Sequence, residues 1–263
     1  MKGFCTLYNA ESLEARKFGV DIPKGILIVG MPGCGKSLSA KATANIFNVP
    51  LLRLDIGKLM GKYVGESEQN LRLAIKTAEA VAPCVLWIDE LEKAFAGVGG
   101  SGGGSDITTR LFGQFLTWLQ EKESSVYVVA TANNISSLPP EFLRKGRFDE
   151  LFLVNLPDAD ERLRIFKIHL GKRGKLSNEV NVIKLLEKTE GFSGADIENV
   201  VKEAIENAFC ASDDRTVTTE KLLEVIRHTK SISQTLKDKI EELQEQYKKF
   251  NFKDANVKVV SED

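Results

Sequence analysis

Residues 30–37 read GMPGCGKS, directly after the apolar run 26–29 and at the head of the helix-period segment Lys36–Phe47. This fits G-x-x-x-x-G-K-[ST], a pattern that carries meaning only where a strand ends, a glycine-rich loop turns and a helix begins. Such a start commits the chain to strands that alternate with crossover helices, hence to an α/β architecture. Further short apolar runs follow at Leu51–Leu54, 85–88, 126–130 and 151–154, with helix-period segments at Glu66–Val81 and 108–121 between them. Strands that are apolar throughout, and do not alternate, suit a parallel sheet covered on both faces. The expectation is a five-stranded parallel sheet covered by helices.

After Pro157 the pattern changes to helices alone, at 159–170, 179–188, 194–211, 219–229 and 233–250. Ser193 and Asp196 stand in S-x-x-D spacing at one of these starts, which predicts a capping box. The expected organisation is an α/β domain over 1–156, a small all-helical domain over 157–230, and a C-terminal helix with a tail over 231–263. The last dozen residues, charged and small, are expected to fray.

Of the 263 residues 43% are hydrophobic and 28% charged, the profile of a soluble globular chain. Lys and Arg number 36 against 37 Asp and Glu, for a net charge of −1. Nucleic acid is therefore not an expected partner, because phosphate-backbone affinity comes from cationic excess. No run of about 18 apolar residues occurs, so no membrane span is expected. Residues 1–19 carry scattered charges and no apolar centre, unlike a secretory signal. Cys5, Cys34, Cys84 and Cys210 form no C-x-x-C pair and read as reduced thiols of a cytosol-like compartment.

The chemistry starts at the glycine loop. Its backbone N–H groups can curl around phosphate oxygens, helped by the positive end of the following helix. Lys36 would neutralise the β- and γ-phosphates of a nucleotide, and Ser37 would offer its hydroxyl to Mg²⁺. Pro32, Gly33, Cys34, Gly35, Lys36, Ser37 and Leu38 are the expected nucleotide contacts. The run CVLWIDE ends a strand in two carboxylates of different facing. Asp89 would hold the Mg²⁺ shell, and Glu90 would polarise a water for in-line attack. At the end of another strand, VVATANN, Asn133 can hydrogen-bond that water or the γ-phosphate; Asn134 reads as a turn former. Arg144 and Arg147, three apart in LRKGRFD, are on their own either solvated or functional.

The run VVATANNISSLPPEFLRKGRFDE resembles the second region of homology of the AAA ATPases. The resemblance implies a P-loop NTPase core followed by an AAA lid domain, with ATP and Mg²⁺ bound. It makes Asn133 the sensor, and Arg144 and Arg147 the arginine fingers that reach the neighbouring subunit's nucleotide in a ring, typically a homo-hexamer. A planar, always-charged guanidinium suits that task. In RLRIFKIH, His169 matches a histidine near the ribose and adenine; in GFSGAD, Gly194 and Ala195 match the pair beside the base. GKYVGE resembles the first pore loop, so Lys62, Tyr63 and Val64 would grip a protein or peptide substrate. The glycines at 97, 99, 100, 102, 103 and 104 lie where a second pore loop is often found, and equally fit a plain linker.

Within that family the segments APCVLWIDELEKAF, FLTWLQEK and SISQTLKDKIEEL look most like an uncharacterised subgroup of cyanobacteria and algal plastid genomes, so the plastid stroma is an alternative compartment. Gln120 and Glu121 stand where many members carry the Asp-Gly of an inter-subunit signalling loop. The family's helix and adenine-contacting loop before the first strand are short or missing, so a fragment of a longer protein is one expectation. Three functions remain open: a ring-forming ATP-driven protein-remodelling motor, an ATP-dependent assembly switch or scaffold, and a small-molecule P-loop kinase. The LRKGRFD segment, standing where a kinase needs lid arginines and a second-substrate pocket, speaks against the last.

Overall fold

The computed structural model describes residues 17–59, 66–95, 104–136, 138–144, 146–211, 215–236, 240, 250 and 252–256; the side chains of 57, 58, 94, 95 and 104–109 lie outside that set. By contact the chain forms two compact units. The first comprises Met1–Gly30, Lys36–Leu153 and Gln246–Ala255; the second comprises Met31–Gly35, Val154–Glu245 and Asn256–Asp263.

The first unit is a helix-covered sheet. Its elements are β1 (Gly25–Gly30), α1 (Lys36–Phe47), β2 (Leu51–Leu54), the single turn α2 (Ile56–Leu59) and α3 (Glu66–Val81). Then come β3 (Cys84–Ile88), a 3₁₀ turn (Leu91–Phe95), α4 (Gly104–Glu121), β4 (Val126–Ala132), a second 3₁₀ turn (Pro140–Leu143) and β5 (Glu150–Val154). The strand order is β2-β3-β4-β1-β5, and a short β6 (Lys253–Asp254) follows on the β5 edge. β2 with β3, β3 with β4, β4 with β1 and β5 with β6 all pair in parallel. The three central strands are buried at every residue, whereas β5 is half-buried and β2 half-buried with Arg53 exposed. Apolar side chains on both faces are what a doubly covered parallel sheet requires. Gly25 is needed where it stands: a Cβ there would lie 2.0 Å from Val128 O.

The sheet thus has the expected class and one more strand than expected. Lys253 and Asp254 pair with Phe152 and Leu153, and Ala255 N–H donates to Leu153 O at 2.8 Å. Residues 252–256, expected to fray, are held because backbone groups on the open edge of β5 need partners, and charge on β6 blunts the new edge. α4 also starts earlier than the predicted residue 108, taking in Gly104.

The second unit contains α5 (Ala159–Lys172), α6 (Val182–Leu186), α7 (Gly194–Cys210), α8 (Thr219–His228) and the turn α9 (Ile232–Thr235). Phe166, Leu170, Leu185, Ile197, Val200, Val201, Ala204 and Leu222 form its fully buried centre. Asp158 and Glu161 close a capping box on α5, and Ser193 and Asp196 close the predicted one on α7. α6 is shorter than the predicted 179–188. Glu179 O and Asn181 N–H are instead bonded to Thr219 Oγ1 at 2.9 and 2.8 Å, which spends the first turn on the start of α8.

Candidate functional site

Because β4 lies between β1 and β3 and pairs with both in parallel, the C-terminal ends of all three strands emerge together. That edge of an open α/β sheet is where ligands bind. β1 leads into residues 31–35, β3 into Asp89 and Glu90, and β4 into Asn133.

Lys36, 7% exposed, donates from Nζ to Gly30 O at 2.8 Å and so ties the base of the loop. Ser37 Oγ donates to Asp89 Oδ1 at 3.2 Å, and Thr131 Oγ1 donates to the same oxygen at 2.7 Å. Arg53 NH2 lies 3.4 Å from Asp89 Oδ2, with its guanidinium 4.9 Å from the centre of the Trp87 ring. Asp89 is therefore fixed by two hydroxyls and faced by one cation. A carboxylate and a hydroxyl in contact form the kind of oxygen pair that holds Mg²⁺ alongside substrate phosphates. Among the described residues no cluster of three or more His, Cys, Asp or Glu offers a self-sufficient metal cage.

Glu90 has φ +52°, a left-handed conformation that a glutamate seldom adopts. Its N–H donates to Thr131 Oγ1 at 3.2 Å, which helps hold that turn. One carboxylate oxygen, Oε2, is ion-paired with Lys93 Nζ, and Oε1 accepts from Asn133 Nδ2 at 3.4 Å. The hydrogen bond and charge of Glu90 push the Lys93 pKa up. Asn133 also donates from N and Nδ2 to Glu92 Oε1, at 3.0 and 2.8 Å. The structure thus brings together Lys36, Ser37, Asp89, Glu90 and Asn133 within the first unit. Asn134 makes a local turn, accepting from Ser136 N at 2.9 Å.

Residues 31–35 group by contact with the second unit. Gly33 O accepts Ala195 N–H at 3.1 Å, and a Cβ on Gly33 (φ +77°) would lie 2.8 Å from Ala195 Cβ and Ser193 Oγ. Only glycine fits there, and Gly33 is brought together with Gly194 and Ala195. Pro32 is exposed and Cys34 and Gly35 are half-buried; Leu38, on α1 in the first unit, is 66% exposed. His169, on α5, is half-buried; its Nδ1 lies 3.3 Å from Arg173 NH1 and 3.9 Å from Glu198 Oε1. Burial pushes its pKa below the ordinary value, so the ring is neutral at pH 7 and accepts from Arg173. Arg144 is exposed, and Arg147 NH1 donates to Glu141 O at 2.6 Å. Lys62, Tyr63 and Val64 lie outside the described residues, as does most of the glycine run and most of the expected C-terminal helix.

Four residues that the sequence did not single out belong to this network: Arg53, Glu92, Lys93 and Thr131. Thr131 had a signal, as the one aliphatic hydroxyl in the otherwise aliphatic and aromatic VYVVATA. The other three are charges that sequence alone leaves as solvated.

A parallel sheet whose first strand opens into GMPGCGKS, with one strand between it and a strand ending in paired acids, defines a P-loop nucleotide-binding class. Residues 26–156 match the "ATPase family associated with various cellular activities (AAA)", and 179–224 match the AAA+ lid domain. An uncharacterised AAA domain-containing protein (ycf46) of Guillardia theta is 49% identical over 235 residues, covering 89% of this chain and 46% of that protein. Its counterpart in Pyropia yezoensis is 47% identical, covering 89% and 47%. A cell division cycle protein 48 homolog of Archaeoglobus fulgidus is 43% identical over 192 residues, covering 72% and 26%. This chain belongs to the AAA ATPase family. It spans about half the length of the ycf46 proteins it matches. No described helix is long and apolar enough to cross a membrane.

Proposed function

We propose that this chain binds Mg²⁺-ATP and hydrolyses it as the ATPase module of a homo-hexameric ring that remodels or unfolds proteins. The observation that carries the reading is the bonded set Ser37–Asp89–Thr131 beside Glu90 and Asn133, at the mouth of a P-loop. Lys36, with Pro32, Gly33, Cys34, Gly35 and Leu38 around the loop, cradles the phosphates; Ser37 and Asp89 hold the metal. When bound, the ion neutralises charge on the β- and γ-phosphates. Glu90 takes the proton of the attacking water, and Asn133 orients that water. Arg144 and Arg147 act on a neighbour's nucleotide, while His169, Gly194 and Ala195 meet the base and ribose. In domain terms, 1–156 is the core, 157–230 the lid and 231–263 a C-terminal segment. The compartment is the cytoplasm or a plastid stroma.

A second reading, an assembly switch with incidental turnover, is favoured by Gln120 and Glu121. α4 runs through Glu121, where a signalling loop would otherwise start. Two experiments decide. Turnover per subunit should rise with protein concentration, and Arg144→Ala and Arg147→Ala should bind ATP yet turn it over slowly at every concentration. Turnover per subunit that stays constant down to a monomeric sample refutes the ring-dependent mechanism. Tyr63→Ala should keep basal turnover within about threefold but abolish stimulation by an unfolded protein. Absence of any such stimulation in the wild type selects the switch.

A further inference from the structure

Glu92 has no part in the chemistry described so far, yet it makes the closest contacts to Asn133. Its Oε1 accepts both the backbone N–H of Asn133, at 3.0 Å, and the side-chain Nδ2, at 2.8 Å. The other oxygen, Oε2, is buried without a hydrogen-bond partner among the described residues. A buried carboxylate oxygen left unpaired is costly, so the carboxylate is held in place for what its first oxygen does. A carboxamide offers two N–H donors and one carbonyl acceptor, and its two ends are distinguished only by the groups around them. Around Asn133 those groups are carboxylates: Glu92 Oε1 at 2.8 Å and Glu90 Oε1 at 3.4 Å from Nδ2. Ionised carboxylates only accept, so a flipped amide would set oxygen against oxygen at both.

We propose that Glu92 is a positioning residue that fixes the polarity of the Asn133 carboxamide, so that Asn133 meets water through its carbonyl oxygen and not through its amide hydrogens. This deepens the proposed function and rests on its reading of Asn133 as the residue that orients the attacking water. With both amide hydrogens committed to Glu92 and Glu90, Asn133 accepts a hydrogen from that water. It thereby turns a lone pair of the water outward while Glu90 stands ready for the other proton. The 3₁₀ turn Leu91–Phe95 carries Glu92 and, one residue on, the Lys93 that pairs with Glu90. One short turn therefore sets both of the groups that handle water.

The test uses the full chain and two readouts. The first needs no turnover: the Asn133 side-chain amide, identified by NMR through its loss in Asn133→Ala, should exchange its hydrogens slowly. That protection should survive in Glu92→Gln, which keeps an acceptor, and vanish in Glu92→Ala. The second is a double-mutant cycle on steady-state ATP turnover with nucleotide Kd measured alongside. Glu92→Ala and Asn133→Ala should each lower kcat about tenfold at unchanged Kd, Glu92→Gln should stay within about threefold, and the double variant should be no slower than Asn133→Ala. Multiplied losses in the double variant, or an amide that is equally protected in Glu92→Ala, overturn the proposal. So does Glu92→Ala with wild-type kcat beside an impaired Asn133→Ala, which leaves the reading of Asn133 standing. Wild-type kcat in Asn133→Ala itself removes that reading, and the proposal with it.

Discussion

Replacing Thr131 by Val removes one oxygen, adds one methyl and hardly changes shape. Thr131 is 1% exposed, and its Oγ1 lies 2.7 Å from Asp89 Oδ1, 3.2 Å from Glu90 N and 3.5 Å from Ile88 O. A hydrogen bond to a charged group contributes about 1.5–3 kcal/mol, and a buried N–H left without an acceptor costs about 1–3 kcal/mol. The added methyl offsets about 0.8 kcal/mol of this. The expected net loss is about 2–5 kcal/mol, with part of it falling on the left-handed turn at Glu90, whose N–H loses its anchor. Thr131→Ser keeps the hydroxyl, gives up only a methyl and should cost about 0.5–1.5 kcal/mol. Urea unfolding followed by tryptophan fluorescence reads the right unit, since both tryptophans, Trp87 and Trp118, lie in β3 and α4. In heat, a loss of about 3 kcal/mol corresponds to a fall in Tm of about 6–12 °C. A Val variant as stable as the wild type, or more stable than the Ser variant, refutes the account of Thr131 as the pin of the two acids.

Glu90→Gln should lower ATP turnover by about 10² or more while ATP and Mg²⁺ binding persist, because the proton acceptor is lost while Lys36, Ser37 and Asp89 are kept. Near-normal turnover in that variant would remove Glu90 from the mechanism. Lys36→Ala should instead weaken nucleotide binding itself, read by titration with a fluorescent ATP analogue; unchanged affinity would contradict the phosphate role. Lys122 is buried, donates to Pro23 O at 3.0 Å, and burial brings its pKa from 10.5 down to about 8. Between those values the unfolded chain binds more protons than the folded one, so this group makes stability rise with pH from about 8 to 10.5, by up to about 3 kcal/mol. Cys84 and Tyr127, whose pKa values burial raises, act in the opposite sense from about pH 9 upward. The difference between wild type and Lys122→Met over pH 7–10 therefore isolates the lysine, and parallel pH profiles would show that it does not titrate there.

The parts of the molecule that the sequence displayed are those whose signal is local. The P-loop is legible because spacing, the strand before it and the helix after it occupy one continuous stretch, and β1, β3 and β4 are legible because burial on both faces writes unbroken apolar runs. Thr131 was not singled out because its role depends on register: only the pairing of β3 with β4 brings it beside Asp89. Nothing in the sequence marks Glu92 and Lys93, and only the 3₁₀ turn reveals where each points. β6 is two charged residues with no period to detect, paired with a strand about a hundred positions earlier. The first turn expected for α6 gave way to bonds with Thr219, a tertiary partner overriding local propensity.

The place of β1 in the strand order governs when the site can exist at all. β1 is complete at Gly30, but its neighbours on either side are β4 (Val126–Ala132) and β5 (Glu150–Val154). Asp149 Oδ2, which accepts Gly25 N–H at 2.8 Å, lies 124 residues further along the chain. On a ribosome the strand that supports the phosphate loop therefore emerges with no partner, and an all-apolar segment waits uncovered while more than a hundred further residues are made. Such long-range closure is slow and leaves the intermediate prone to association. The strand that comes first in the chain is thus among the last of the first unit to gain both of its neighbours. Any affinity for phosphate must then appear late, as a signal that the sheet has closed.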